Sequence, residues 1–71
     1  MLVKLSNPAL VDDLVEFLSR SGCVVEAQDE TTVLVSIPRS LRDDAAQLEL
    51  DLYLRVWEAT HPQARASRLA S

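Results

Sequence analysis

Cys23-Val24-Val25-Glu26-Ala27-Gln28-Asp29-Glu30-Thr31-Thr32-Val33-Leu34-Val35-Ser36-Ile37-Pro38 reads as two strands joined by a polar turn. Cys23, Val25 and Ala27 alternate with Val24 and Glu26 along the first strand. Val33, Val35 and Ile37 alternate with Leu34 and Ser36 along the second. Asp29-Glu30-Thr31 supplies the turn, and Pro38, which has no N–H to donate, closes the second strand. A connection this tight pairs the two strands antiparallel.

Upstream, Leu2 to Leu5 predicts a short strand with Val3 and Leu5 on one face and Leu2 and Lys4 on the other. Ser6-Asn7-Pro8 marks a helix start. The Asn7 side chain accepts from free first-turn N–H groups, and Pro8 suits the first helical position, where an N–H would be orphaned. Leu10, Val11, Leu14, Val15, Phe17 and Leu18 follow at helical spacing, with Asp12, Asp13, Glu16, Ser19 and Arg20 on the wet side. Gly22 ends the helix, because it takes a left-handed conformation cheaply.

Downstream, Ser40-Leu41-Arg42-Asp43 resembles a capping box and predicts a helix from about residue 41 to about residue 60, ended by His61-Pro62. Residues 63–71 are compatible with a weak edge strand, a frayed helix or a disordered tail. The order of elements predicts one α+β domain over residues 1–71. Its expected form is a ferredoxin-like βαββα(β) antiparallel sheet with two helices packed on one face and the first and third strands central.

The second helix carries two apolar stripes at about 100° per residue. Leu41, Ala45, Leu48, Leu52, Val56 and Ala59 form one; Ala46, Leu50, Tyr53, Leu54 and Trp57 form the other, roughly opposite. A helix resting on a sheet needs one stripe. The sequence leaves open which stripe faces the sheet; the aliphatic one is the better choice, because Tyr and Trp need a polar partner or an edge. Ala46, Leu50, Tyr53, Leu54 and Trp57 are then the candidate interface, rich in the aromatic types favoured at interface centres. Leu2, Val24 and Leu34, on the uncovered face of the sheet, extend it. The expected partner is a second copy, as a homodimer or larger homo-oligomer, or another protein.

Composition narrows the function. Seven basic against eleven acidic side chains give a net charge of −4, carried entirely by the first 38 residues. That balance argues against nucleic acid and anionic membrane as partners, since both are gripped through clustered Lys and Arg. The sheet positions that would stack RNA bases hold Leu2, Lys4, Leu34 and Ser36, without an aromatic ring. No apolar run exceeds three residues, which predicts no membrane span, and Asp12 and Asp13 interrupt any secretory leader. One cysteine forms no internal disulfide, so the expected location is the cytoplasm. The six-to-one excess of arginine over lysine fits a GC-rich bacterial genome.

No catalytic residue, metal site or cofactor is expected. His61 is the only side chain tuned for proton transfer near neutral pH, and its place at a helix C-terminus suits a cap. A general-base role would need an acid beside it, and Glu58 is the one local in sequence. Cys23 reads as a small buried hydrophobe. The pairs Asp12-Asp13, Asp29-Glu30 and Asp43-Asp44 read as helix-start and turn chemistry, without the glycine and alternating oxygens of a calcium loop.

The first strand, Asn7-Pro8-Ala9, the helix with Leu14 and Leu18, Gly22 and the apolar strand after it resemble the opening of small bacterial βαββαβ proteins. These include a family of signal-transducing proteins of GlnB-like shape and the amino-acid-binding ACT domains. The resemblance covers about half the chain. It implies, as an alternative function, small-molecule sensing at the turn after the first strand, where a ligand would meet Ser6 and Asn7. The segment from Tyr53 to Pro62 is similar to the end of short proteins from GC-rich actinobacteria, which brings no functional residue with it. The primary expectation is a self-associating, non-enzymatic interaction or regulatory subunit. A small dimeric barrel enzyme using His61 is a further alternative.

Overall fold

The computed structural model describes residues 1–40 and 42–69. Four strands, β1 (Leu2–Leu5), β2 (Val24–Ala27), β3 (Thr32–Ser36) and β4 (Ala66–Arg68), form one antiparallel sheet in the order β2-β3-β1-β4. Two helices, α1 (Val11–Arg20) and α2 (Asp43–Thr60), complete an α+β architecture. Val3 and Leu5 of β1 and Val33 and Val35 of β3 face the helices and are buried with Leu14, Leu18, Leu50, Leu54 and Trp57 in one core. Among the described residues no layer covers the opposite face of the sheet.

Local chemistry sets the ends of α1. Asn7 Oδ1 accepts from Ala9 N at 3.0 Å, and Pro8–Leu10 form one 3-10 turn that leads into the helix. At the far end Gly22 N donates to Ser19 O and Cys23 N donates to Leu18 O, at 3.1 and 3.0 Å. This is the Schellman arrangement, and Gly22 supplies its left-handed residue with φ +93. A Cβ at Gly22 would also run into the Arg39 guanidinium, which lies against the turn. The hairpin turn is held by Asp29 Oδ1, which accepts from Thr31 N at 2.8 Å; that bond holds the Asp29 carboxyl below its ordinary range.

α2 departs from expectation at its start. It begins at Asp43 rather than with Ser40 as its cap, and its N-cap residue, Arg42, makes no side-chain capping bond. The reason is the turn before it. Ser40 N donates to Ile37 O, and the Ser40 hydroxyl donates to Arg42 O, so this side chain closes the turn instead of reaching the helix. The expected helical Leu41 and the last two tail residues, Ala70 and Ser71, lie outside the described residues.

The larger correction concerns which side of α2 faces the sheet. Leu50, Leu54 and Trp57 are at most 3% exposed and sit in the core, whereas Leu48, Leu52 and Val56 are 57–67% exposed. The aromatic stripe is inside and the aliphatic one outside. Both aromatic side chains find their polar partners at the rim of the core: Trp57 Nε1 donates to Asp13 Oδ2 of α1 at 3.1 Å, and the Tyr53 hydroxyl donates to Glu49 Oε1 at 2.6 Å. With those groups satisfied, burying the largest side chain of the chain is the favourable choice.

The tail forms an edge strand. β4 pairs antiparallel with β1, Leu5 opposite Ala66 and Val3 opposite Arg68. Ala64 and Ala66 are buried, and Arg68 on the same side reaches Asp51 of α2 at 3.0 Å. Ser6 Oγ accepts from Arg65 N, and Glu58 Oε2 accepts from Ala66 N, fixing the approach to the strand.

Candidate functional site

The candidate residues separate into a buried set and an exposed set. Leu50, Leu54 and Trp57 belong to the core, and Ala46 and Tyr53 are half-buried against it. They hold α2 to the sheet and are unavailable as a free surface. Leu2, Val24 and Leu34 lie on the bare face of the sheet, where Leu2 and Val24 are 40% and 59% exposed. The register sets Glu26, Leu34 and Leu2 in one row across three strands, and Leu69 N donates to Leu2 O at 2.8 Å, so Leu69 extends that row. Leu69, 41% exposed, was not among the sequence candidates; its signal is the continued alternation after Ser67.

Among the described residues the outer side of α2 carries the most exposed large apolar side chains, Leu48, Leu52 and Val56. Ala45, Leu48, Leu52, Val56 and Ala59 share one stripe on a helix about 27 Å long, and all are exposed. Glu49 lines one edge of the stripe and Arg55 the other. Among the described residues Arg55 has no ion-pair partner, while Glu49 is paired with Arg39.

A polar node joins the loop after β3 to both helices. Arg39 donates to Ser21 O at the end of α1, and to both Glu49 and the Tyr53 hydroxyl on α2. The Tyr53 hydroxyl, and after it the Arg39 guanidinium, hold the Glu49 carboxyl below its ordinary value; the hydrogen bond to Glu49 pushes the Tyr53 phenol up. A depressed carboxyl stabilises the fold above its ordinary range, and that contribution is lost as pH falls through the lowered value. A raised phenol stabilises the fold below its ordinary range, and that contribution is lost as pH rises through the higher value. The melting temperature is therefore expected to fall on both the acid and the alkaline side, with Tyr53→Phe removing the alkaline limb. The node is partly open to solvent, so both limbs should be shallow and should shrink in salt. Superimposable profiles for wild type and Tyr53→Phe would contradict this account.

His61 sits in a second node. Its ring stacks on Trp57 with centroids 4.3 Å apart and an interplanar angle of 14°. Nε2 lies 2.7 Å from Asp13 Oδ2, and Nδ1 lies 2.9 Å from both Trp57 O and Thr60 Oγ1. A doubly protonated ring donates to Asp13 and to the Trp57 carbonyl. In a neutral ring with its proton on Nε2, Nδ1 accepts from the Thr60 hydroxyl only if that hydroxyl gives up Trp57 O, to which it donates at 2.9 Å. Both ring nitrogens lie within hydrogen-bond distance of groups of the chain itself. The acid beside His61 is Asp13 from α1, not Glu58, which accepts from Ala66 N. An open cleft of about 320 Å³ borders the node, lined also by Glu16, Phe17 and Arg20.

The remaining sequence candidates have structural partners. Ser6 Oγ and Asn7 Oδ1 both accept from backbone N–H groups. Cys23 is buried, and burial pushes its thiol up, away from the reactive thiolate. Among the described residues no group of three or more His, Cys, Asp or Glu side chains is placed to hold a metal ion, and no helix is long and apolar enough to cross a membrane. No protein-family model matches the chain, and no curated protein or solved structure was found to be similar to it.

Proposed function

We propose that this chain is a self-associating α+β module of ferredoxin-like topology, serving as an interaction or regulatory subunit in the cytoplasm and not as an enzyme. One observation carries the reading. α2 is apolar on two sides, and the core uses only one of them, leaving Leu48, Leu52 and Val56 bare. A contiguous exposed apolar patch on a small domain marks a surface that a partner covers. The strand order β2-β3-β1-β4, with both helices on one face, supports the ferredoxin-like reading. The single buried, unpaired cysteine is compatible with a reducing compartment. The partners that the chain itself supplies to both nitrogens of His61 weigh against proton-transfer catalysis.

Association has a further motive in size. A chain of 71 residues buries only about 60% of its unfolded surface, so covering a second apolar face adds stability that a single copy lacks. Sedimentation velocity across a dilution series tests the reading. The expected species at tens of micromolar has twice the 7.9 kDa mass of one chain. A 7.9 kDa species throughout the series would overturn it.

A further inference from the structure

His61, the only histidine of the chain, meets an acceptor at each ring nitrogen. Nε2 lies 2.7 Å from Asp13 Oδ2, and Nδ1 lies 2.9 Å from Trp57 O. A carboxylate oxygen and a carbonyl oxygen accept and do not donate. The one hydroxyl at hand, on Thr60, donates its proton to Trp57 O at 2.9 Å and so turns a lone pair toward Nδ1, also at 2.9 Å. The arrangement satisfies both nitrogens only when both carry protons. We propose that His61 is a proton-operated latch between the helices: its charged ring fastens Asp13 of α1 to the last turn of α2, and loss of one proton releases that fastening. The latch needs no second copy of the chain.

Each neutral form of the ring breaks one contact. With the proton on Nδ1, the Nε2 lone pair faces a carboxylate at 2.7 Å, and the contact is repulsive. With the proton on Nε2, the Nδ1 lone pair faces Trp57 O unless the Thr60 hydroxyl leaves that carbonyl. A carbonyl in the last turn of a helix lacks an intrahelical donor to replace it. His61 N, which would serve in a longer helix, donates to Glu58 O. The break falls at the joint itself, because Asp13 Oδ2 accepts from both the His61 ring and Trp57 Nε1. The charges around the ring are few. Asp13 meets it directly and is opposite in sign, and the last carbonyls of α2 present the negative end of the helix dipole. Across the cleft Glu16 and Arg20 are paired with each other at 2.5 Å. Glu58 of α2 is turned to Ala66 N, and Arg65 of the tail is exposed.

One imidazole and one indole make the latch directly observable. Proton and nitrogen-15 NMR from about pH 5 to about pH 8 follows the two ring nitrogens of His61 and the indole N–H of Trp57. At the acid end both ring nitrogens are expected to carry protons. As the ring loses one, the indole N–H resonance should move with the same midpoint, since both donors share Asp13 Oδ2. Asp13 is half exposed, so Asp13→Asn keeps the fold and an acceptor oxygen for the indole; it should uncouple the indole resonance from the ring. A bond made only by the charged ring stabilises the fold while the charge is present and is lost as pH rises. His61→Gln should therefore lower the melting temperature by about 4–8 °C at about pH 5 and by little at about pH 8. This range lies below the alkaline limb assigned to Tyr53, so the two effects are read separately. An indole resonance that ignores the ring titration, or one that follows it equally in Asp13→Asn, would overturn the latch. So would a His61→Gln deficit of the same size at both ends of the range.

Discussion

Trp57→Ala is expected to lose most of the stability of this chain. Trp57 is 1% exposed and lies in the core with Leu14, Leu50 and Leu54. Truncating a buried aromatic of this size costs about 3–5 kcal/mol, from lost burial and from the cavity left behind. At about 0.05–0.15 kcal/mol per residue the whole domain holds only about 4–11 kcal/mol. The substitution also removes the platform on which His61 stacks and the donor to Asp13, loosening α2 from α1. Trp57→Phe separates these effects. It keeps most of the apolar bulk and loses the indole N–H, so a cost of about 1–2 kcal/mol is expected. Urea unfolding followed by circular dichroism measures both. Equal, small losses for the two variants would contradict the placement of Trp57 in the core.

Leu54→Glu and Leu52→Glu, two residues apart on one helix, are expected to behave oppositely. Leu54 is 3% exposed, and a carboxylate there must be buried without a partner; the loss should exceed about 4 kcal/mol and leave an unfolded chain. Leu52 is 60% exposed, and glutamate there keeps its water and a good helix propensity. The expected result is a folded chain with an unchanged circular dichroism spectrum. Trp57, the only tryptophan, reports the difference: its emission should shift to the red in Leu54→Glu and stay in place in Leu52→Glu. If the aliphatic stripe faced the sheet, the two variants would exchange behaviours.

Much of this architecture is written locally. The Gly22 end of α1 and the alternation through β2 and β3 depend on neighbours within a few residues, and the structure follows them; Asn7-Pro8 starts a 3-10 turn, with α1 beginning three residues later at Val11. The parts that escaped local reading depend on distant partners. The start of α2 moved to Asp43 because Ser40 is used by the turn that follows Ile37. The orientation of α2 turned on Asp13, which is 44 positions from Trp57 in sequence and satisfies its indole in space. β4 carries only Ala66, Ser67 and Arg68, with little intrinsic strand preference, and it forms because β1 offers an open edge. The two apolar stripes of α2 were legible as a pair. Which of them stays exposed depends on partners far away in sequence, such as Asp13 for the Trp57 indole.

The most direct measurement is the solution mass of wild type and Leu52→Glu at matched concentration, by sedimentation equilibrium, with circular dichroism recorded on the same samples. If a second copy covers the bare stripe, a charge in its middle opposes that burial without touching the core. The account predicts a wild-type dimer, a Leu52→Glu monomer and identical helical spectra. A wild-type monomer, or a Leu52→Glu chain that remains dimeric, would contradict it.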